Sequence, residues 1–146
     1  MFKISRKRLA REEVRALLFS LDAAFAERLA KTINVEDYCR KLSDNAFFEI
    51  AESNGDVVGA VAFYENPSTI YYITYVCVSV SHRQKGAASL LIDSICRYAD
   101  CRQKSVSLEV RISNERAMKI YEKAGFAVKS TNNEKIFMTR KFIDHE

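Results

Sequence analysis

Residues 70–112 decide the fold of this chain, because they contain a predicted strand, a helix and a second strand in succession. Residues 70–80 read IYYITYVCVSV, a β-branched and aromatic run that is typical of a strand. Within 86–99, Ala87, Leu91, Ile95 and Tyr98 share one helical face. Residues 106–112, VSLEVRI, alternate apolar and polar side chains, as a strand does. This order predicts two parallel strands joined by a helix that packs on one face of the sheet.

The segments around this unit predict short connections, and therefore antiparallel strands. Strands are expected at 47–51 and 57–64 with a tight turn, SNGD, at 53–56. A second turn is expected at 65–68, and a final hairpin from 126–128 and 135–140. The fold class is therefore α/β (α+β), with a mixed, mainly antiparallel central sheet of about six to seven strands and helices on both faces.

The first 45 residues read as mostly helical. Apolar side chains at helical spacing predict a helix over 9–21, and a short strand is expected before it at 2–4. A second helix is predicted from Val35 to Leu42, with Asn34 as its N-cap. The stretch 23–33 fits either a helix or a loop.

Composition limits the class of protein. The 146 residues fit one domain, 1–146, with 48% hydrophobic and 29% charged residues. No apolar run approaches the ~18 residues of a membrane span, and no secretory signal is expected. The net charge of +4 suits a phosphorylated small molecule better than a nucleic acid. The cysteines at 39, 77, 96 and 101 form no C-x-x-C pair, so we expect reduced thiols in a cytoplasmic protein and no metal site.

The junction between the long strand and its helix has the character of an anion site. Residues 78–90 read VSVSHRQKGAASL, a basic segment of small residues that leads into a helix N-terminus. The free N–H groups of a first helical turn favour a phosphate, and Gly86 with the two alanines allows close approach. The alternative is that these small residues only let the helix pack on the sheet. The segment is neither a Walker A loop nor a Gly-x-Gly-x-x-Gly motif.

Two motifs together resemble the GNAT superfamily of acyl-CoA-dependent N-acetyltransferases. Arg83, Gly86 and Ala88 match Arg-x-x-Gly-x-Ala after a strand. Residues 114–126 match Asn-x-x-Ala-x-x-x-Tyr-x-x-x-Gly-Phe in the right order and spacing. The resemblance covers residues 46–140. Ala88 replaces the commoner glycine and Val80 stands where many members have proline, while the N-terminal helices carry no recognisable signature.

The resemblance implies a cleft for acetyl-CoA where the parallel strands splay apart near a bulge. It places the pantetheine arm along the strand backbone at Cys77 and Val78, and with them Val76. A covalent role for Cys77 is not expected, because no base adjoins it and the family transfers the acyl group directly. His82 is expected to be a surface residue. The remaining positions implied to contact the cofactor are Arg83, Gln84, Lys85, Gly86, Ala87, Ala88, Ser89, Asn114 and Tyr121.

The resemblance also implies a general acid and a general base. Tyr121 corresponds to the tyrosine that protonates the departing thiolate; the alternative is a plain core tyrosine. Glu109 lies on the polar face of its strand with Ser107 and Arg111, so we expect a cleft that opens to water beneath that face. The spacing of Glu109 and Tyr121 is similar to that of ribosomal-protein alanine N-acetyltransferases, in which the glutamate acts as base. The alternative is that Glu109 is a solvated strand residue and that the base is a water held by backbone groups, or Glu65 or Glu49.

The acceptor is less determined than the donor. Tyrosines at 64, 71, 72 and 75 are expected to place aromatic rings near the acceptor, which suits a peptide, an amino sugar or an aromatic amine. The Glu–Tyr pair favours a protein N-terminus or small amine. An amino-sugar acceptor and a non-catalytic acyl-CoA-binding regulatory module stay open, as does a homodimer. Neither a membrane nor a nucleic acid is expected as partner, because the basic residues between 3 and 15 are interrupted by Glu12 and Glu13.

Overall fold

A computed structural model describes residues 2–32, 34–66 and 70–144 of the chain. Within these ranges seven strands form one sheet, in the order β1-β2-β3-β4-β5-β7-β6, together with five α-helices. The elements are β1 (Lys3–Lys7), α1 (Arg11–Leu21), α2 (Ala23–Thr32), α3 (Val35–Asn45), β2 (Ala46–Ser53), β3 (Asp56–Glu65), β4 (Ile70–Val78), a 3₁₀ turn (Val80–His82), α4 (Ala87–Cys101), β5 (Ser105–Arg111), α5 (Glu115–Lys123), β6 (Ala127–Thr131) and β7 (Lys135–Arg140).

The predicted fold class is confirmed. β4 and β5 are parallel and joined through α4, whereas the other neighbouring strands pair antiparallel. One core, which includes Phe63, Leu91 and Leu108, lies between the sheet and α4 with α5. The second core, which includes Leu18 and Phe48, lies between the other face and α1–α3. Helices therefore cover both faces of the sheet, as an internal parallel pair requires.

Local signals in the sequence account for several element boundaries. In the β2–β3 turn, Asn54 and Gly55 take φ values of 52° and 85°, which is the conformation of a two-residue hairpin turn. Asn34 caps α3, because its Oδ1 accepts hydrogen bonds from the N–H groups of Glu36 (2.9 Å) and Asp37 (3.2 Å). The segment that fitted helix or loop is the helix α2. The turn predicted at 65–68 includes Pro67 and Ser68, which lie outside the described residues.

A β-bulge in β4 turns the strand over. Ala62 pairs with Tyr75 and the next residue, Phe63, pairs with Ile73, so Thr74 has no opposite residue. One extra residue inverts the alternation of side chains along a strand. Ile73 therefore packs in the α4 core, whereas Tyr75 packs in the core beneath α1–α3.

The parallel strands separate just after this bulge. β4 and β5 pair only from Ile70–Ser105 to Ile73–Leu108. Beyond Ile73, the edge of β4 that faces β5 has no strand partner, so the backbone groups there point into an opening in the sheet. The predicted splay of the parallel pair is therefore present.

Two details of the predicted strands are wrong. The long strand ends at Val78 rather than Val80, because the chain enters the 3₁₀ turn at Val80, which turns outward and is 76% exposed. Ser107 is buried instead of facing water, because Thr139 of β7 lies opposite it and their hydroxyl oxygens are 3.1 Å apart. Only Glu109 and Arg111 of that polar face are exposed.

A buried ion pair links α4 to β7. The Arg140 guanidinium donates to both carboxylate oxygens of Asp100, at 2.7 and 3.0 Å, and its Nε donates to the Ala124 carbonyl at 2.8 Å. Asp100 also accepts from the Ile143 N–H. This network joins α4, β7 and the end of α5. Cys39, Cys77 and Cys96 are buried free thiols, and Cys101 is exposed.

The described ranges lack two kinds of feature. None of the helices there combines the length and the apolar character needed to cross a membrane. Within the same ranges, no three side chains of the metal-ligating types come together.

Candidate active site

A cleft of about 600 Å³ lies between the end of β4 and the first turns of α4 and α5. It contains most of the residues that the sequence assigned to a cofactor. Its walls are formed by Asp22, Val76, Cys77, Val78, His82, Arg83, Gln84, Gly86, Ala87, Ala88, Ser89, Ile92, Asn114, Arg116, Ala117, Ile120 and Tyr121. Lys85 is exposed and lies outside these walls. Below, this space is called the cofactor cleft.

The turn before α4 has the geometry of an anion site. Gln84 and Gly86 adopt left-handed backbone conformations, with φ values of 65° and 90°. The N–H of Leu90 makes the first helical hydrogen bond, to the Gly86 carbonyl at 3.0 Å. The N–H groups of residues 87–89 therefore have no partner within the helix and face the cleft with the positive end of the helix dipole. No atom lies within 4 Å of a Cβ built on Gly86, so a ligand can reach this backbone.

Two guanidinium groups border the same turn. Arg83 Nε donates to the Val78 carbonyl at 3.1 Å, which leaves its other donors available at the cleft. Arg116 lies on the first turn of α5, and its guanidinium donates to Gln84 at 2.8 and 3.2 Å when the Gln84 amide is oriented with its oxygen toward Arg116. The sequence interpretation missed Arg116, although it stands only two positions after Asn114. His82 is half-buried and lines the cleft, with its Nδ1 2.8 Å from Ser79 Oγ.

Asn114 and Tyr121 lie where α5 meets the cleft. The Asn114 side chain accepts a hydrogen bond from the Ala117 N–H at 3.2 Å, so it also caps α5. Tyr121 is buried, its ring centroid 5.8 Å from that of Phe126. Burial raises the pKa of the Tyr121 hydroxyl to about 12, so this group stays protonated at neutral pH. Burial also raises the pKa of the Cys77 thiol, which disfavours the thiolate that a covalent role needs.

A second cavity, of about 460 Å³, opens on the other side of the splayed strands. Asp22, Val76, Asn114 and Tyr121 line both this cavity and the cofactor cleft, so the two spaces meet at these residues. We call the second space the acceptor cavity. Its other walls are formed by Phe25, Tyr72, Ile73, Thr74, Tyr75, Leu108, Glu109, Val110, Arg111 and Lys135.

Glu109 stands in the wall of the acceptor cavity. Its Oε1 accepts a hydrogen bond from the Tyr72 hydroxyl at 3.3 Å, and its Oε2 is 3.8 Å from Lys135 Nζ. The two alternative carboxylates lie elsewhere. Glu49 is buried between the sheet and α4, where it contacts Ser94 and lies 2.7 Å from Arg6. Glu65 accepts a hydrogen bond from the Tyr98 hydroxyl at 2.8 Å. The structure therefore brings only Glu109, of these three, to the acceptor cavity.

The tyrosines predicted at the acceptor end separate into two groups. Tyr72 and Tyr75 line the acceptor cavity. The prediction is wrong for Tyr64 and Tyr71, which line neither space. The β4 bulge explains the result for Tyr71, which packs against Phe63 in the α4 core. The Tyr75 hydroxyl is buried beside the Cys77 thiol.

Asp22 is a site residue that the sequence interpretation missed. It ends α1, and its Oδ1 accepts a hydrogen bond from the Phe25 N–H at 3.1 Å. This contact fixes the carboxylate at the junction of the two spaces. A single aspartate between two apolar helical segments carries no motif, so only its position as a helix cap could have marked it.

Half of the N-terminal basic residues are bonded within the fold. Arg6 pairs with Glu49, Arg8 donates to the Ser43 carbonyl at 3.1 Å, and Arg15 pairs with Glu36 at 2.9 Å. These contacts reduce the positive charge available to a polyanion. The remaining members of the cluster are Lys3, Lys7 and Arg11.

The sheet has a splayed parallel pair, with free N–H groups of a helix N-terminus and a buried tyrosine beside the splay. These are the features that the sequence analysis expected of an acyl-CoA-dependent acyltransferase. The sequence model described as "Acetyltransferase (GNAT) family" matches residues 10–126. The chain belongs to this family, as its two motifs predicted.

Relatives of known name agree with this assignment. The chain is 30% identical over 107 residues to the probable N-acetyltransferase san of Drosophila melanogaster; the match covers 69% of this chain and 58% of that protein. Its fold is similar to that of ribosomal-protein-S18-alanine N-acetyltransferase from Escherichia coli, with TM-score 0.79, 17% identity and coverage of 100% and 97% of the two chains. It is also similar to a Bacillus subtilis acetyltransferase in complex with CoA, with TM-score 0.75, 13% identity and coverage of 98% and 100%.

Proposed function

We propose that this protein transfers an acetyl group from acetyl-CoA to a primary amine by direct attack. The observation that carries the proposal is the meeting of two spaces at Tyr121, Asn114, Asp22 and Val76. One space has the free N–H groups and guanidinium groups that suit a pyrophosphate. The other is lined by carboxylates and aromatic rings that suit an amine.

The residues of the cofactor cleft fit acetyl-CoA. The N–H groups of residues 87–89 and the guanidinium groups of Arg83 and Arg116 suit its phosphates. The unpaired edge of β4 at Val76–Val78 suits the amides of its pantetheine arm. Bound acetyl-CoA supplies an acyl group activated as a thioester. CoA-bound relatives of the same fold support this donor.

Glu109 is the proposed general base. An acceptor ammonium must lose a proton before its nitrogen can attack the acyl carbon, and a carboxylate in the cavity wall accepts that proton directly or through water. Backbone N–H groups at the β4 edge donate to the acyl oxygen as negative charge develops on it. The bond between the acyl carbon and sulfur then breaks.

Tyr121 is the proposed general acid. Its hydroxyl donates a proton to the departing thiolate sulfur, and burial keeps that hydroxyl protonated until it is needed. The position of Tyr121 in the walls of both spaces supports this role, since the reacting atoms must lie where the spaces meet. Holding both substrates in this geometry supplies further acceleration.

A protein N-terminus or a small amine is the acceptor that we favour over an amino sugar. The similar fold of the Escherichia coli ribosomal-protein-S18-alanine N-acetyltransferase supports a peptide acceptor. The acceptor cavity also continues along Glu109 and Lys135 into a third space of about 370 Å³ beside residues 130–132, which is more room than one sugar ring requires. A cytoplasmic location and a homodimer stay predictions from the sequence.

A thiol-release assay with acetyl-CoA tests the proposal. The chain is incubated with peptides that have free N-termini, with small amines and with amino sugars, and free CoA is measured. We expect release with a peptide or small amine, and mass spectrometry should find one added acetyl group on its nitrogen. Acetyl-CoA binding without release for any acceptor would instead favour the regulatory module.

A further inference from the structure

Two basic side chains lie side by side in the acceptor cavity. Arg111 on β5 and Lys135 on β7 are directly opposite each other in the strand register, and both line the cavity. Like charges at opposed positions of an antiparallel pair destabilise a sheet by up to ~1 kcal/mol. The pairing of Arg111 with Lys135 therefore does not stabilise the sheet.

The surrounding carboxylates compensate only one of the two charges. Lys135 has Glu109 at 3.8 Å. Arg111 is exposed, and across the described ranges no carboxylate comes within ion-pair distance of its guanidinium. This part of the cavity wall therefore keeps a positive charge that is free to meet an anion.

The end of the cavity that adjoins the cofactor cleft has the opposite character. Asp22 lines both spaces, and among the described residues it has no cationic partner. The hydroxyl of Tyr75, which also lines this cavity, is buried beside the Cys77 thiol. The Asp22 carboxylate accepts hydrogen bonds, which an ammonium group with three N–H donors would supply.

The two ends can be ordered along the cavity. Asp22 belongs to the wall shared with the cofactor cleft, whereas Lys135 also lines the third space on the far side. Asp22 thus places a negative charge at the wall shared with the cofactor cleft, whereas Glu109, Arg111 and Lys135 together leave one positive charge away from that wall. An acceptor with both charges would enter amine first.

We infer that the acceptor carries an anionic group close to its reacting amine, and that Arg111 with Lys135 selects it. The inference rests on the proposed function and names the substrate class of the same site. The chemistry required is a carboxylate, which an acidic side chain near a peptide N-terminus provides, and which the carboxylate of a small amino acid also provides. Arg111 pairs with a planar carboxylate in bidentate fashion better than a lysine does.

The test compares matched acceptors in wild type and in Arg111→Gln. The peptide arm uses two peptides that differ only in Glu or Gln at the second position, and the small-molecule arm uses β-alanine and its amide. The ratio of kcat/KM for the acidic and neutral member is measured in each arm. Comparing this ratio between variants cancels differences in the basicity of the acceptor amines.

We expect the wild-type ratio in at least one arm to exceed that of Arg111→Gln by about tenfold, which corresponds to ~1.4 kcal/mol. Arg111→Glu should invert the preference and Arg111→Lys should restore most of it. Added salt should weaken the preference, because exposed charges are screened. Arg97→Gln, an exposed arginine on α4 outside both spaces, is the matched control and should leave the ratio unchanged.

Each outcome separates the inference from the proposed function. The arm in which the ratio falls shows whether the anion belongs to a peptide side chain or to a small amino acid. Turnover with equal ratios in wild type and Arg111→Gln in both arms overturns the inference and leaves the proposed function standing. No thiol release with any acceptor overturns the proposed function, and the inference with it.

Discussion

Substitution of Gly86 by alanine should weaken acetyl-CoA binding without filling the site. Gly86 precedes α4 with a φ of 90°, a conformation that an L-residue adopts at a cost of roughly 1–2 kcal/mol. A methyl group there would meet no atom within 4 Å, so the effect comes from the backbone and not from a clash. In the free protein, the turn of Gly86→Ala should relax away from the conformation that presents the N–H groups of residues 87–89.

The size of the effect follows from that strain. If binding must restore the left-handed conformation, up to ~1–2 kcal/mol is subtracted from the binding free energy, which raises the Kd by roughly 5- to 30-fold. Gly55 offers a matched control. It has a φ of 85°, its added Cβ would also meet nothing within 4 Å, and it lies in the β2–β3 turn, outside the walls of the cofactor cleft.

Calorimetric titration with acetyl-CoA and urea unfolding measure the two variants. We expect Gly55→Ala to lose stability while keeping the wild-type Kd, and Gly86→Ala to raise the Kd. Equal Kd values for both variants and the wild type would refute the reasoning, because the turn would then not bind the phosphates.

Three further predictions concern single side chains. Tyr121→Phe should lower kcat by roughly 10²–10⁴ with little change in the Kd for acetyl-CoA. Because burial raises the pKa of Tyr121 to about 12, the wild-type rate should not fall through loss of this proton as pH rises toward 10. An unchanged kcat in a less stable variant would assign Tyr121 to the core alone. Glu109→Gln should lower kcat/KM, and higher pH should partly restore it because more of the amine is neutral; a wild-type pH–rate profile in the variant would exclude Glu109 as base. Asp100→Asn should lower the free energy of unfolding by about 3–5 kcal/mol in urea titrations, since it leaves buried Arg140 unpaired, whereas the exposed Asp93→Asn control should change it little; similar losses in both would contradict that reasoning.

The sequence determined those parts of the fold and site that depend on neighbouring residues. The alternation in β5, the turn at Asn54–Gly55 and the cap at Asn34 are local, so each is visible in a short window. The turn at 83–89 is also local, because a strand that leads into a helix N-terminus exposes the same N–H groups wherever it occurs. The motif residues Asn114 and Tyr121 do line the cleft, although their chemical roles stay proposals.

The core into which each side chain of β4 packs depends on the tertiary structure. The bulge at Thr74 exists only because β3 pairs with β4 in a shifted register, and the sequence of residues 70–78 does not predict it. It sends Tyr71 into one core and Tyr75 into the other, so tyrosines treated alike in the sequence have different environments. Ser107 is likewise buried by Thr139, which is distant in the chain.

The composition of the acceptor cavity was decided by the tertiary structure alone. Asp22 from the end of α1, Arg111 from β5 and Lys135 from β7 carry no shared motif, and the fold brings them to one cavity from three distant segments. Local sequence determines backbone conformation through short-range sterics and hydrogen bonds. Which charged side chains line the same cavity depends instead on strand register and helix packing. Most residues that line the cofactor cleft could therefore be named from the sequence, whereas the charge pattern of the acceptor cavity became visible only in the folded chain.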